Sequence, residues 1–287
     1  MSSSFEAHHE TVAQVRLEQI ERMIEVGQAM SVEKDTTKLL EQILLAAKDI
    51  TKSDGSTIYS VTPEGGLKFE TLINNTLNMY MGETSDKPIP FDPIPLSVDG
   101  KPNVSALVAY SANTDQVVNI PDAYQPFDGF DMTAARAMDA KIGYRTRSVL
   151  TVPMKNHEGE LNGVLQLINA QEKCDSGSLQ IVEFDTSIQR IVVALASQAA
   201  VALTNRQLID DMEELFQSFT KLLAKSIDEK SPYTGGHCRR VPEITMMLAK
   251  ATHQTRGGPM GDFEMNDEDM YALNIAAWLH EIGRAHV

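Results

Sequence analysis

From Ser178 to Ser231 the chain contains neither glycine nor proline, and nothing else in it limits the possible folds as strongly. A run of that length without a helix breaker predicts one very long helix over 183–230. Within it Val201, Leu208, Leu215 and Leu222 recur every seven residues, and Asn205, Met212, Phe219 and Ser226 follow each of them by four. A sustained heptad favours a supercoiled helix pair, with Asn205 as a polar residue that sets register, so a homodimer through this helix is expected. An amphipathic helix packed on its own domain is the alternative. With about 150 residues per domain, 287 residues allow roughly two domains, and the long helix is expected to connect them.

Charge narrows the partners. Lysine and arginine total 25 against 40 aspartates and glutamates, a net charge of −15, so the long-range field repels phosphate polymers and anionic lipid. No nucleic-acid polymer and no membrane is expected as a partner. The most apolar run, Ile191–Leu203, is shorter than the ~20 residues that span a bilayer. Cys174 and Cys238 are too few for a disulfide framework and lack the close-spaced partners of a zinc ribbon, which together with the polar N-terminus predicts a cytoplasmic protein. His8 and His9 read as a solvated helix start.

Ahead of the long helix the hydrophobic period changes several times. Residues 6–30 read as an N-terminal helix, and Leu39, Leu40, Ile43, Leu44 and Ala47 predict a second over 36–50. Residues 56–61 and 67–73 flank Thr62-Pro63-Glu64-Gly65-Gly66 and predict a hairpin. Pro88, Pro90, Pro93, Pro95 and Pro102 exclude a long helix or central strand over 82–103. A short helix over 106–112, a strand over 116–120 and a helix over 132–141 follow. Strands over 148–154 and 161–168 are joined by Asn156-His157-Glu158-Gly159, where His157 reads as a solvated turn residue. The order predicts an antiparallel sheet with helices packed on it, an α+β arrangement.

That order, with Ile142-Gly143-Tyr144-Arg145-Thr146-Arg147-Ser148-Val149-Leu150-Thr151-Val152-Pro153-Met154 and Gly163-Val164-Leu165-Gln166-Leu167-Ile168-Asn169-Ala170, resembles a GAF domain. The resemblance covers about 30–200 and places the domain core at 31–182. It implies a small-molecule sensor or a dimerisation module. Cyclic-nucleotide GAF domains carry an Asn-Lys pair and a later Phe with Asp-Glu; here Asn169 precedes Ala170, and Phe184-Asp185 leads into Thr186, so the ligand is left unknown. The polar loop around Cys174 does not specify bilin attachment.

Chemistry-bearing residues gather after the long helix. Pro232 ends it, Gly235-Gly236 make a loop, and His237 opens a helix whose apolar side is Val241, Ile244, Met247, Leu248 and Ala251. Asn266-Asp267-Glu268-Asp269 starts another helix that runs to His280. Pro232-Tyr233-Thr234-Gly235-Gly236-His237 followed by Cys238-Arg239-Arg240-Val241, with Ala276-Ala277-Trp278-Leu279-His280 further on, resembles the start of an HD-GYP domain over 231–280. That family comprises bacterial metal-dependent phosphodiesterases that hydrolyse cyclic di-GMP. The resemblance implies His237 and His280 as metal ligands, a pair of iron or manganese ions in the complete domain, and a GAF-regulated signalling hydrolase. The family's third-metal position would carry Glu where Tyr233 stands, so two metals are expected rather than three. His253 reads as solvated and unligated. A non-catalytic dimeric regulator is the alternative function, and a different HD-family phosphohydrolase acting on nucleotides is disfavoured by Tyr-Thr-Gly-Gly-His.

The family continues with Asp, Gly-Lys, later His residues and a Gly-Tyr-Pro loop, whereas this chain reads Glu281-Ile282-Gly283-Arg284-Ala285-His286-Val287. The string resembles the translation of a short sequencing adapter. By that resemblance the natural sequence is last seen at His280, and Glu281 and His286 carry no function; a natural short protein with a degenerate site, in which Glu281 and Arg284 replace Asp and Lys, is the alternative. With most of the family's metal ligands absent, the chain as it stands is expected to be inactive.

Overall fold

The structure, a computed structural model, describes residues 24–29, 33, 35–85, 87–125, 133–174, 177–230 and 236–281. They form two compact units, Met1–Arg206 and Gln207–Val287, divided within the long helix. Of the expected N-terminal helix, residues 24–29 are helical (α1), while His8, His9, Tyr233 and His286 lie outside the described residues.

In the first unit, Asp35 caps α2 (Thr36–Thr51) by accepting from the Thr37 and Lys38 amides, satisfying donors that a helix start leaves open. Leu39, Leu40, Ile43, Leu44 and Ala47, at three- and four-residue steps, are its buried stripe. Strands β1 (Ser53–Val61) and β2 (Gly66–Asn74) pair antiparallel, as do β8 (Val149–Lys155) and β9 (Leu161–Lys173), and β1 joins the two pairs by lying against β9. The strand order is β3-β2-β1-β9-β8-β7, with β3 at Met79–Gly82 and β7 at Val118–Ile120, while β4 (Ile94–Pro95) pairs with β2 and β10 (Leu179–Val182) with β9. The proline-rich segment holds only β4 and the two-residue strands β5 (Ser97–Val98) and β6 (Lys101–Pro102). Neither β3 nor β10 was expected, because four residues are too few to show a period. Helices α3 (Leu107–Thr114) and α4 (Thr133–Ile142) lie between strands in the chain.

Period two sorts the sheet into faces. Ile58, Ile73, Leu150, Val152, Met154, Leu165 and Leu167 share one core with α2 and with Val192, Leu195, Ala196, Ala199, Ala200 and Leu203 of α5 (Thr186–Lys230). On the other face Tyr59, Leu67 and Val164 pack with Val108 of α3, and Val149 with Leu107, Val118 and Ile120. Over Thr186–Ser226, α5 is long and apolar enough, by length and composition, to cross a membrane, which the shorter apolar run Ile191–Leu203 had not suggested. Within it Val192, Leu195, Ala196, Ala199 and Ala200 are fully buried in the core shared with α2 and the sheet.

Within the second unit, α6 (His237–Gln254) and α7 (Asp267–Leu279) pack on each other. Cys238, Pro242 and Ala249 are the buried positions of α6, and Ala277 that of α7. This differs from the apolar side expected for α6: Ile244, Met247 and Leu248 are 55%, 70% and 64% exposed.

Candidate metal centre

Each histidine is set by a helix terminus. Gly236 has φ +75°, a left-handed conformation that glycine adopts without strain, and it turns the chain so that His237 is the first residue of α6. At α7 the Asn266 side chain accepts from the Asp269 amide while Asp269 accepts from the Asn266 amide, and Asp267, Glu268 and Asp269 place negative charge at the helix start. His280 closes the other end, its Nδ1 bonded at 2.7 Å to the Ala277 carbonyl, one of the acceptors a helix end leaves open. A carbonyl can only accept, so Nδ1 carries the proton and the neutral ring keeps its lone pair on Nε2.

That Nε2 lies 3.1 Å from His237 Nε2, with ring centroids 5.0 Å apart and interplanar angle 66°. The nearest Glu281 carboxylate oxygen is 3.6 Å from each of the two Nε2 atoms. All three donor atoms lie within 4.8 Å of one another, and Glu281 is buried, only 8% exposed. Metal–nitrogen and metal–oxygen bonds of about 2.0–2.2 Å in tetrahedral array put neighbouring donors about 3.4 Å apart. The observed triangle of 3.1, 3.6 and 3.6 Å therefore fits a single divalent cation, and imidazole with carboxylate is the donor set of iron, manganese or zinc.

The structure thus brings together His237 and His280, the two residues proposed from sequence, and adds Glu281, which the adapter-like string had caused to be set aside. Its signal was available: it occupies the position directly after His280 where the resembled family has Asp. His253 stands apart from this group. It is half-buried and its Nδ1 accepts from the Met265 amide at 3.2 Å, so it staples the α6–α7 connection instead of being solvated as expected. His157 is exposed beside Glu158 in its turn. Cys174 lies at the β9–β10 turn, where its amide donates to the Ser178 carbonyl.

In the first unit a buried polar cluster joins the ends of three strands. Asn169, at φ +59°, accepts from the Arg147 amide at 2.7 Å and donates to the Arg145 carbonyl at 2.9 Å and the Tyr144 hydroxyl at 2.8 Å. Tyr144 donates in turn to Asp54 at 2.7 Å. Burial, then the neighbouring Asp54 carboxylate, pushes the Tyr144 phenol well above its ordinary value. On the sheet face away from α2, Thr57, Gln166 and Thr151 form a cross-strand polar row, in which the Gln166 amide lies 3.3 Å from Thr151 Oγ1. At the far end of α2 a cleft of about 490 Å³ is lined by Lys48, Lys52 and Lys173 together with Asp49. Burial lowers the Lys48 pKa against the opposing pull of Asp54 and Asp49.

The GAF domain family model matches residues 35–203. The chain is 28% identical over 191 residues to the dual 3′,5′-cyclic-AMP and -GMP phosphodiesterase 11A of Takifugu rubripes, a match covering 66% of this chain and 19% of that protein. It is 31% identical over 122 residues to the cGMP-specific 3′,5′-cyclic phosphodiesterase of Drosophila erecta, covering 42% and 10%. It therefore spans about a fifth and a tenth of the length of these two relatives. Among solved structures it is similar to the GAF domain of an Acinetobacter phosphoenolpyruvate-protein phosphotransferase, at 14% identity and TM-score 0.48, covering 68% of this chain and 98% of that one. With the family matched over more than half of its length, the chain belongs to the GAF domain family.

Proposed function

We propose that the protein is a GAF-regulated, metal-dependent phosphodiesterase of HD-GYP type whose substrate is cyclic di-GMP. The observation that carries this reading is the convergence of His237, His280 and Glu281 at the start and end of two packed helices. A divalent cation held there would supply Lewis acidity toward a phosphodiester oxygen. The chain's own part is to present His280 Nε2 as a lone pair by tying Nδ1–H to the Ala277 carbonyl, and to keep the Glu281 carboxylate buried beside both rings. Cyclic di-GMP as substrate rests on the resemblance of the stretch ending in Gly235-Gly236-His237 to the HD-GYP start. The similarity to enzymes named as cyclic nucleotide phosphodiesterases supports a signalling hydrolase more broadly. A ligand on the GAF domain would regulate by binding one arrangement of the long helix better than another.

Three donors hold one cation, and an in-line displacement of the two-metal kind needs more. The 287-residue chain is therefore expected to bind about one equivalent of Mn²⁺ and not to open cyclic di-GMP. Calorimetric titration with Mn²⁺ tests this. His237→Ala and His280→Ala should each weaken binding about tenfold or more; undiminished binding in both variants, or no saturable binding in the parent, rejects the metal centre. Hydrolysis of cyclic di-GMP by the purified chain would overturn the one-cation limit.

The small donor set also favours a second reading, a non-catalytic GAF regulator. The relatives' names make cyclic AMP and cyclic GMP the ligands to titrate first, although the Asn169 amide is committed to holding residues 144–147.

A further inference from the structure

The cleft at the C-terminal end of α2 gathers positive charge on a chain whose net charge is −15. Lys48, Lys52 and Lys173 line it against one carboxylate, Asp49, a formal excess of two positive charges. A helix end ordinarily turns open carbonyls toward an anion, but here they are engaged. Lys52, at φ +53°, turns its amide back on the Asp49 and Lys48 carbonyls, and the Thr51 hydroxyl donates to that of Ala47. Lys48 Nζ donates to the Ser53 carbonyl at 2.9 Å and Lys52 Nζ to Asp49 at 3.2 Å, and each ammonium has further N–H donors to offer. The Lys173 ammonium makes no hydrogen bond or ion pair among the described residues. Ser53 lines the same cleft. It is 2% exposed, and its hydroxyl is buried without a hydrogen-bond partner, a cost that a bound acceptor would relieve.

We propose that this cleft binds the phosphate monoester of a small organic molecule. Charge selects the head group. A phosphate monoester at neutral pH carries about 1.5–2 negative charges on three acceptor oxygens, matching the excess of two cations, whereas a carboxylate brings one charge. Lysine ammoniums act on phosphate as compact point charges with rotatable donors. Burial penalises the Lys48 charge, and a dianion beside it offsets that penalty. Size selects the rest of the ligand. At about 490 Å³ the cleft is in the range of small-molecule pockets and much larger than a phosphate ion needs. Leu45 and Leu179, 46% and 59% exposed, border it as an apolar surface for the organic part. The cleft shares no residue with the Thr57, Gln166 and Thr151 row or with the metal centre, and this inference does not rest on the proposed function.

Calorimetric titration of the full chain with phenyl phosphate tests it, in EDTA so that no metal ion at His237 and His280 takes up the probe. The parent should show a single saturable site and hold phenyl phosphate several-fold more tightly than inorganic phosphate. Lys52→Gln combined with Lys173→Gln should weaken binding about tenfold or more. Both side chains are exposed, so thermal unfolding should change little. Lys101→Gln with Lys141→Gln removes the same charge elsewhere on the domain and should leave the affinity within about twofold, because screening mutes distant charges. Ser53→Ala should weaken binding about threefold or more, through loss of a donor that the folded chain does not otherwise use. No saturable binding, or equal affinity for inorganic phosphate, overturns the proposal. So does undiminished binding in the Lys52 and Lys173 pair or in Ser53→Ala, or an equal loss in the Lys101 and Lys141 pair.

Discussion

The Tyr144 hydroxyl donates to Asp54 Oδ2 at 2.7 Å, joining the segment before β8 to the start of β1 across a sequence separation of 90. Asp54 and Asn169, both bonded to that hydroxyl, are 3% and 1% exposed, so neither can turn to water if the hydroxyl is removed. Tyr144→Phe should therefore destabilise the GAF domain by about 1–3 kcal/mol, read as a lower urea midpoint at pH 8.

The same contact gives a pH dependence. Tyr144 holds its proton more tightly folded than unfolded, because burial and then Asp54 raise its pKa. The associated stability is complete below the ordinary tyrosine value of about 10 and is lost as pH climbs through the higher folded value. Between pH 9 and 11 the parent should lose more unfolding free energy than Tyr144→Phe does; parallel losses would show that the phenol is not coupled to folding.

Gly163 is required by space. A Cβ there would lie 2.1 Å from the Tyr59 carbonyl oxygen and 2.6 Å from Met154 Cε, and the first of these is backbone in the central β1–β9 pair. Gly163→Ala should cost roughly 3 kcal/mol or more, or prevent folding, since strand separation is the way to relieve the clash. Thermal unfolding and soluble yield both report it. Gly159→Ala, at a turn where a Cβ meets nothing within 4 Å, should remain soluble and lose only what φ +83° imposes.

One helix offers an internal comparison. Leu195 is fully buried in the GAF core whereas Leu208, also on α5, is 59% exposed. Leu195→Ala should destabilise the first unit by about 2–5 kcal/mol. Leu208→Ala should cost under about 1 kcal/mol in a dilute, monomeric sample. Denaturant titrations of the two variants side by side decide this, and equal effects would contradict the burial pattern.

The α7 capping box is a local test. Replacing Asn266 by alanine removes the acceptor for the Asp269 amide, 2.8 Å away, and should lower stability by about 1 kcal/mol. Because α7 carries His280 at its end, Mn²⁺ affinity should fall as well if fraying moves that ring.

Much of the fold could be read from local pattern. Three- and four-residue steps located α2 within a residue of Thr36–Thr51, and alternation located the β8–β9 pair. The absence of glycine and proline located α5, which begins at Thr186. These are legible because period and chain breakers are properties of neighbouring residues. β3 and β10 escaped because their strand character comes from β2 and β9 beside them. His237 and His280 were marked by a motif and Glu281 by its place directly after His280, but the string that contains Glu281 argued for discarding it, and its distance to the rings exists only in the folded chain.

Backbone preference and hydrophobic period act over a few residues, so the longer helices, the longer strands and the heptad on α5 are written in the local sequence. Which stripe of α5 and of α6 is buried was settled by packing. On α6 it chose Cys238, Pro242 and Ala249 over the larger apolar residues, and on α5 it buried Thr220 and Ala224 while leaving Leu215 and Phe219 in water. Burial depends on the volume and distance of whatever lies opposite, and a side chain's own chemistry does not contain that information.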